Sequence, residues 1–370
     1  DINKIGRNIH TLPIYSGTAD LNEIIKGNSI EDVLIAISST SGVKVRKIIE
    51  GCKVSHVKFK TLPSLSDIVG GSVSVNQIRE IEIDDLLKRA PKDLDKRRIE
   101  RFIDGKTVLI TGAGGSIGAE LSRQIVNWSP SIEMLVDNNE HGLYKIDSEL
   151  NGNVNGVEFH AILENVTKPI SIEDHLRRLN TDIIFHSAAY KHVSLVETNP
   201  CVAIINNILG TIKTAKLADK YKVKKFVLIS TDKAVRPTSV MGATKRVCEL
   251  YLQNFNSISD TEFVAVRFGN VLDSSGSVVP KFKQQIKDGG PVTVTHPDVT
   301  RFFMLIPEAV QLVMQAASLG KGGEIFILDM GEPVNIENMA KDMIRMMGFN
   351  LEEVKIGSIG LKPGEKLNEE

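Results

Sequence analysis

Six apolar runs recur from Lys106 onward, T-V-L-I-T, E-M-L-V-D, E-F-H-A-I, D-I-I-F-H-S, K-F-V-L-I-S and E-F-V-A-V-R, with helix-length segments between most of them. Parallel neighbours cannot be joined by a tight hairpin, so a strand–helix–strand succession demands a parallel sheet with crossover helices. The runs are apolar almost throughout, as expected where helices cover both faces. The reading is an α/β, Rossmann-like, doubly wound domain over residues 106–266.

Upstream, D-V-L-I-A-I (Asp32–Ile37) and H-V-K-F-K-T-L-P (His56–Pro63) read as strands flanking a Ser/Thr/Gly loop and an amphipathic stretch, Val43 to Glu50. They suggest a partial N-terminal α/β domain over residues 1–91. Residues 92–105 are expected to be a linker, in which Lys96, Arg97 and Arg98 mix with Asp93, Asp95 and Glu100; a solvated helix or linker is the reading, against a basic patch. After Arg267 the regularity fades, and residues 267–370 are expected to form a smaller C-terminal substrate region.

Charge narrows the partners. The 45 basic and 46 acidic side chains nearly cancel, so no global field draws the chain to nucleic acid or an anionic membrane. A small, locally recognised partner fits better. No C-x-x-C or H-E-x-x-H spacing is present, and His186 and His192 read as packing or substrate contacts, so no metal is expected. Cys52, Cys201 and Cys248 are scattered and odd in number, which points to a reducing compartment. No apolar run approaches the ~18 residues of a membrane span. The chain as given is expected to be soluble, an excised fragment that begins at Asp1 in the middle of a domain.

Directly after the first strand comes T-G-A-G-G-S-I-G, with Gly112, Gly115 and Gly118 in G-x-x-G-x-x-G spacing. Gly112 permits a tight turn, Gly115 lets backbone approach a pyrophosphate, and Gly118 allows close helix packing. Ser116 and Ile117 would offer N–H groups at the positive end of a helix. The second strand ends at Asp137, nineteen positions beyond Gly118, where a carboxylate can accept from an adenosine ribose and would repel a 2′-phosphate. NAD is therefore the expected cofactor, with Asn138 beside it; a strand-end Asp that caps the next turn is the alternative. Asn165 and Val166 follow the third strand at the expected adenine position. The small Ala188 and Ala189 after the fourth would let the cofactor lie against the backbone.

Past the fifth strand, Thr231, Asp232 and Lys233 bring a hydroxyl, a carboxyl and an amine to the crevice where ligands sit in this fold. Lys245, four residues after Met241, would share a helix face with it.

With the glycine loop, the strings A-A-Y-K-H-V, S-T-D-K-A-V, V-M-G-A-T-K-R, V-R-F-G-N-V-L, S-G-S-V-V-P, T-R-F-F-M and K-P-G-E-K-L resemble the extended short-chain dehydrogenase/reductases, and within them the CapD-like UDP-N-acetylglucosamine 4,6-dehydratases of bacterial polysaccharide and glycan synthesis. The chain departs from most of that superfamily at Met241, where a Tyr would move a proton; Met here resembles the membrane-anchored subgroup. The resemblance implies that hydride from sugar carbon 4 passes to NAD and later returns to carbon 6. Lys233 removes the carbon 5 proton, Asp232 protonates the departing carbon 6 hydroxyl, Thr231 holds the sugar near carbon 4, and Lys245 holds the nicotinamide ribose. Lys191, His192, Asn270, Val278, Lys281 and Arg301 are the expected contacts of the UDP-N-acetylhexosamine, Arg301 through its phosphate-matching fork. The resemblance also implies a homo-oligomer at the cytoplasmic face of the bacterial inner membrane. The competing readings are a UDP-sugar 4-epimerase and a catalytically silent NAD-binding scaffold.

Overall fold

The computed structural model describes residues 4–16, 21–36, 42–52, 57–62, 78–87, 94–151, 156–272, 274 and 276–370. The expected Ser/Thr/Gly loop, the boundary at Pro91, and Ser275 in the S-G-S-V-V-P string lie outside them.

Seven strands form one parallel sheet: β1 (Thr107–Thr111), β2 (Ile132–Asp137), β3 (Glu158–Leu163), β4 (Ile183–His186), β5 (Lys225–Thr231), β6 (Glu262–Phe268) and β7 (Ile325–Ile327), in the spatial order β7-β6-β5-β4-β1-β2-β3. The order reverses beside β1, so β1 and β4 diverge in connection and leave a crevice at their carboxyl ends. Helices α1 (Ser116–Ile125), α2 (Glu140–Asn151), α3 (Ile170–Arg178), α4 (Val193–Thr198), α5 (Gly210–Lys220) and α6 (Val240–Asn256) lie between the strands.

The strands are largely apolar along their length because the pleat sends alternate side chains to opposite faces and both faces are covered, the buried Glu133 of β2 being an exception. Val108, Ile110, Leu135, Phe185 and Val227 join one core with Leu121 of α1 and Ile146 of α2. Their neighbours Leu109, Met134, Ile184 and Phe226 join the other with Leu176 of α3, Ala215 of α5 and Leu252 of α6.

Two compact units are distinguished, and their division differs from a contiguous substrate region at 267–370. The larger comprises Lys92–Val278, Thr295–Ile336 and Ile359–Glu370. The smaller joins Asp1–Pro91 to Val279–Val294 and Glu337–Ser358. It contains a three-stranded sheet in which Asp32–Ile35 runs parallel to Lys58–Thr61, which pairs antiparallel with Arg79–Glu80. Of the readings of a solvated helix or a linker, Lys96–Ile103 forms a helix, and it belongs to the larger unit with Ile99 and Ile103 fully buried in its core. Their four-residue spacing gives the charged run one apolar stripe.

One buried histidine ties the crevice together. His186, at the end of β4, bonds Thr111 of β1 through Nδ1 (2.8 Å) and Thr211 of α5 through Nε2 (3.0 Å). The Thr211 hydroxyl donates to the Asn207 carbonyl at 2.6 Å, so it accepts from Nε2–H, and Nδ1 accepts from Thr111. Burial, reinforced by the nearby Lys245 charge, pushes the imidazole down to about 3. Protons therefore bind the unfolded chain preferentially below the ordinary histidine value, and stability conferred by the neutral ring is lost as pH falls from 6.5 toward 3. Between pH 7.5 and 5 this component is about 2 kcal/mol. Urea unfolding at the two pH values should show that loss in the wild-type chain and a loss smaller by that amount in His186→Gln; equal losses would contradict the placement.

Candidate active site

The turn after β1 fits a phosphate-bearing cofactor. Gly112 has φ +73°, and a Cβ there would lie 2.7 Å from the Ala188 nitrogen; a Cβ on Gly118 would lie 2.0 Å from the Gly112 carbonyl oxygen. Backbone thus fills the space side chains would need, with β1, the β4 loop and α1 packed against one another. Gly115 stands at the N-cap of α1, which leaves the N–H groups of Ser116 and Ile117 at the helix's positive end.

Asp137 performs the capping role as well as standing where a ribose carboxylate is expected. Its Oδ2 accepts from Gly114 N and its Oδ1 from Asn139 N, both at 2.8 Å. A carboxylate has about four lone-pair sites, so these bonds leave capacity for a ribose hydroxyl. Asp137, Asn138, Asn165, Val166, Ala188 and Ala189 line one cavity of about 240 Å³. Asn165 already accepts from Thr167 N (2.8 Å), and Val166 is also part of the core beneath.

A larger cavity of about 850 Å³ shares Gly112, Gly115 and Ala189 with the first and continues over the ends of β4 and β5. Such a volume suits a small-molecule ligand. Thr231, Lys233, Met241, Lys245, Lys191, His192, Asn270, Val278 and Arg301 all line it. Met241 and Lys245 face it from one side of α6, as their spacing requires. The Lys245 ammonium donates to the Ile229 carbonyl at 2.8 Å, and burial lowers its proton affinity. Burial also lowers Lys191, and His192 is lowered by burial and by the Lys191 charge.

The end of β5 is a compact hydrogen-bonded cluster. Asp232 Oδ1 accepts from the Thr231 hydroxyl (2.8 Å), the Lys233 backbone N–H (2.8 Å) and the Lys233 ammonium (3.0 Å). Lys233 also donates to Asn270 Oδ1 at 2.9 Å. Asp232 itself is 1% exposed, its Oδ2 has no hydrogen-bond partner among the described residues, and it stands behind Thr231 and Lys233 rather than among the lining residues. Helix α6 starts where it does because Ser239 caps it, accepting from Gly242 N at 3.0 Å. A Cβ on Gly242 would lie 2.2 Å from the Lys233 carbonyl oxygen, so this glycine lets the helix seat on the cluster's backbone.

Two expected substrate contacts are engaged within the protein. Lys281 belongs to the smaller unit and donates to Thr293 Oγ1 (2.9 Å). Arg301 lines the cavity, but its fork is engaged by Glu365 (2.9 Å) and by the carbonyls of Thr300 (2.7 Å) and Leu367 (3.1 Å). Sequence reasoning passed over Asn207, which accepts from Tyr190 N (2.8 Å) and donates to Thr244 on α6 (3.0 Å). It lies in a π-helical segment, Ile204–Leu209, that no residue pattern announced. Glu249 was missed too: fully buried, it accepts from Ser230 (2.6 Å) and Arg267 (2.7 and 2.5 Å), clamping the strand end that carries Thr231.

These features define an extended short-chain dehydrogenase/reductase fold with a glycine-rich turn and a large cavity at the carboxyl ends of its strands. The chain belongs to the family described as polysaccharide biosynthesis protein, whose model matches residues 108–370, and within it the chain is CapD-like. It is 46% identical over 353 residues to the capsular polysaccharide biosynthesis protein CapD of Staphylococcus aureus, covering 95% of this chain and 59% of that protein. A UDP-glucose 4-epimerase of Rickettsia bellii is 36% identical, over 72% of this chain and 76% of its own length. Among solved structures, Pen from Bacillus thuringiensis is 35% identical with a TM-score of 0.66, over 72% of this chain and 82% of that one. The chain therefore spans about three-fifths of the CapD relative. No described helix is long and apolar enough to cross a membrane.

Breaking a buried ion pair leaves an uncompensated charge, at a cost of about 3–5 kcal/mol. Glu249→Ala should lower the unfolding free energy by that amount in denaturant titrations, and Ser230→Ala by only about 1 kcal/mol; equal small losses would show that the clamp does not hold β5.

Proposed function

We propose that this chain dehydrates a UDP-N-acetylhexosamine, UDP-N-acetylglucosamine foremost, to the 4-keto-6-deoxy sugar nucleotide with NAD as cofactor. The observation that carries this reading is the Thr231–Asp232–Lys233 cluster at a cavity where Met241 occupies the place of a proton-moving tyrosine. A thioether cannot exchange a proton, whereas the neighbouring amine, carboxyl and hydroxyl can.

NAD, when bound along the glycine turn and Asp137, supplies a reversible acceptor for one hydride. Lys245 holds the nicotinamide ribose, Thr231 binds the sugar near carbon 4, and the resulting ketone acidifies carbon 5. Asp232, which accepts from the Thr231 hydroxyl, takes the carbon 4 hydroxyl proton through Thr231 as carbon 4 is oxidised. Lys233, which lines the cavity and acts as its neutral amine, takes the carbon 5 proton, and Asp232 passes its own proton to the departing hydroxyl of carbon 6, so that the carbon 6–oxygen bond breaks and water leaves. Carbon 6 gains the hydride that bound NADH would supply, and Lys233 returns its proton to carbon 5. Lys191, with the His192 imidazole, Asn270 and Val278 beside it, supports a diphosphate and uracil site, with Arg301 positioned by Glu365.

The same resemblance supports action at the cytoplasmic face of the bacterial inner membrane, within a longer protein. Exposed Leu195 on α4, Val247 and Leu250 on α6, and Val202, Ile205 and Leu209 between them support a homo-oligomer through these helices.

A 4-epimerase is the second reading, favoured by the identity to the rickettsial protein, and it requires no acid–base pair at carbons 5 and 6. Proton NMR of the purified chain with NAD and UDP-N-acetylglucosamine should show a new carbon 6 methyl doublet. Lys233→Ala should slow its appearance roughly 10²–10⁴-fold with NAD binding retained. A carbon 4 epimer with no methyl signal would replace dehydration by epimerisation, and an undiminished Lys233→Ala rate would remove the lysine from the chemistry.

A further inference from the structure

One buried carboxylate in the larger cavity has no part in the scheme above. Glu369 lines that cavity with Thr231, Lys233, Asn270 and Arg301. Its side chain is 4% exposed. Oε1 lies 3.6 Å from the Lys233 ammonium and 3.9 Å from Arg301 Nε. Oε2 has no hydrogen-bond partner among the described residues.

Each neighbour of Glu369 is otherwise satisfied. Lys233 has Asp232 and Asn270, and Arg301 has Glu365 with two backbone carbonyls. The two cations balance the charge on Oε1, but neither serves Oε2. A buried acceptor left without a donor costs about 1–3 kcal/mol, and more when charged. Protein interiors retain such a group where a ligand completes it. The cavity side of Glu369 therefore calls for a neutral donor delivered from the cavity. An anionic group is excluded there by repulsion, so the diphosphate cannot be that donor.

We propose that Glu369 is a sugar-binding residue: Oε2 accepts a hydrogen bond from a hydroxyl of the hexose, while Oε1 keeps Lys233 and Arg301 in place. The assignment rests on the reading of this cavity as a UDP-sugar site. It makes Glu369 a determinant of sugar recognition, selective for a hydroxyl-bearing ring and against a carboxylate-bearing one, and silent toward the nucleotide.

The test compares affinities for UDP and UDP-N-acetylglucosamine by calorimetry, with NAD present, on the whole chain and its Glu369→Ala and Glu369→Gln variants. Glu369→Ala should weaken UDP-N-acetylglucosamine roughly 10- to 100-fold, as expected for a hydrogen bond to a charged group, with UDP affinity unchanged. Glu369→Gln keeps the shape and one acceptor and should lose less; it carries the test if the alanine variant fails to fold. An unchanged ratio of the two affinities, an equal loss for UDP, or a wild-type chain that binds the sugar nucleotide no better than UDP would each overturn the assignment. A wild-type chain that prefers the sugar nucleotide but makes no 4-keto-6-deoxy product would overturn the dehydration alone. Binding of neither ligand would overturn both.

Discussion

Because helices cover both faces of the seven-stranded sheet, no polar side chain can function from the middle of a strand without a buried partner. Polar chemistry is driven to the carboxyl ends of the strands, and the reversal of strand order beside β1 opens those ends into a crevice. The positions of Gly112, Asp137, His186 and Thr231 follow from this one constraint, since each stands at or just beyond a strand end. The strand ends are then pinned individually. His186 joins β4 to β1, Asp137 joins β2 to the glycine turn, and Glu249 locks β5 and β6 to α6.

That pinning shapes the electrostatics of the cavity. Lys245 is held as a donor to a backbone carbonyl in a site where burial weakens its hold on the proton. Lys233 instead sits among oxygen acceptors: Asp232, Asn270 and, farther off, Glu369. Two lysines on adjoining elements thus face the same space in different surroundings. One is a buried amine whose hold on its proton is weakened, and the other is ringed by carboxylate and amide oxygens. Met241 between them contributes an apolar wall in place of a hydroxyl.

Six of the seven strands are legible because they are largely apolar runs at regular spacing, whereas β7, a three-residue strand beyond the expected 106–266 domain, is too short to announce itself; the glycine turn is legible because glycines at fixed spacing have few other reasons to follow a strand. In the 92–105 stretch charges outnumber Ile99 and Ile103, so the sequence shows a helix or linker without showing that these two side chains bury. Val279–Val294 and Glu337–Ser358 group with residues from the other end of the chain, a long-range pairing that local pattern does not encode. Arg301 illustrates the same limit. Its fork matches a phosphate as well as a carboxylate, and only the fold reveals that Glu365 occupies it. Glu369 lies two residues beyond the K-P-G-E-K-L string and has no role legible in the sequence, because its significance depends on Lys233, more than a hundred residues earlier.

At the centre of the account is a single hydrogen that leaves one carbon of the sugar and reappears on another of the same molecule. UDP-N-acetylglucosamine carrying deuterium on carbon 4, turned over in ordinary water, tests that most directly. The account predicts a 4-keto product whose carbon 6 methyl group holds the deuterium, as CH2D, with no loss to solvent. Deuterium remaining on carbon 4 of an epimerised sugar, or a methyl group without deuterium, would contradict it.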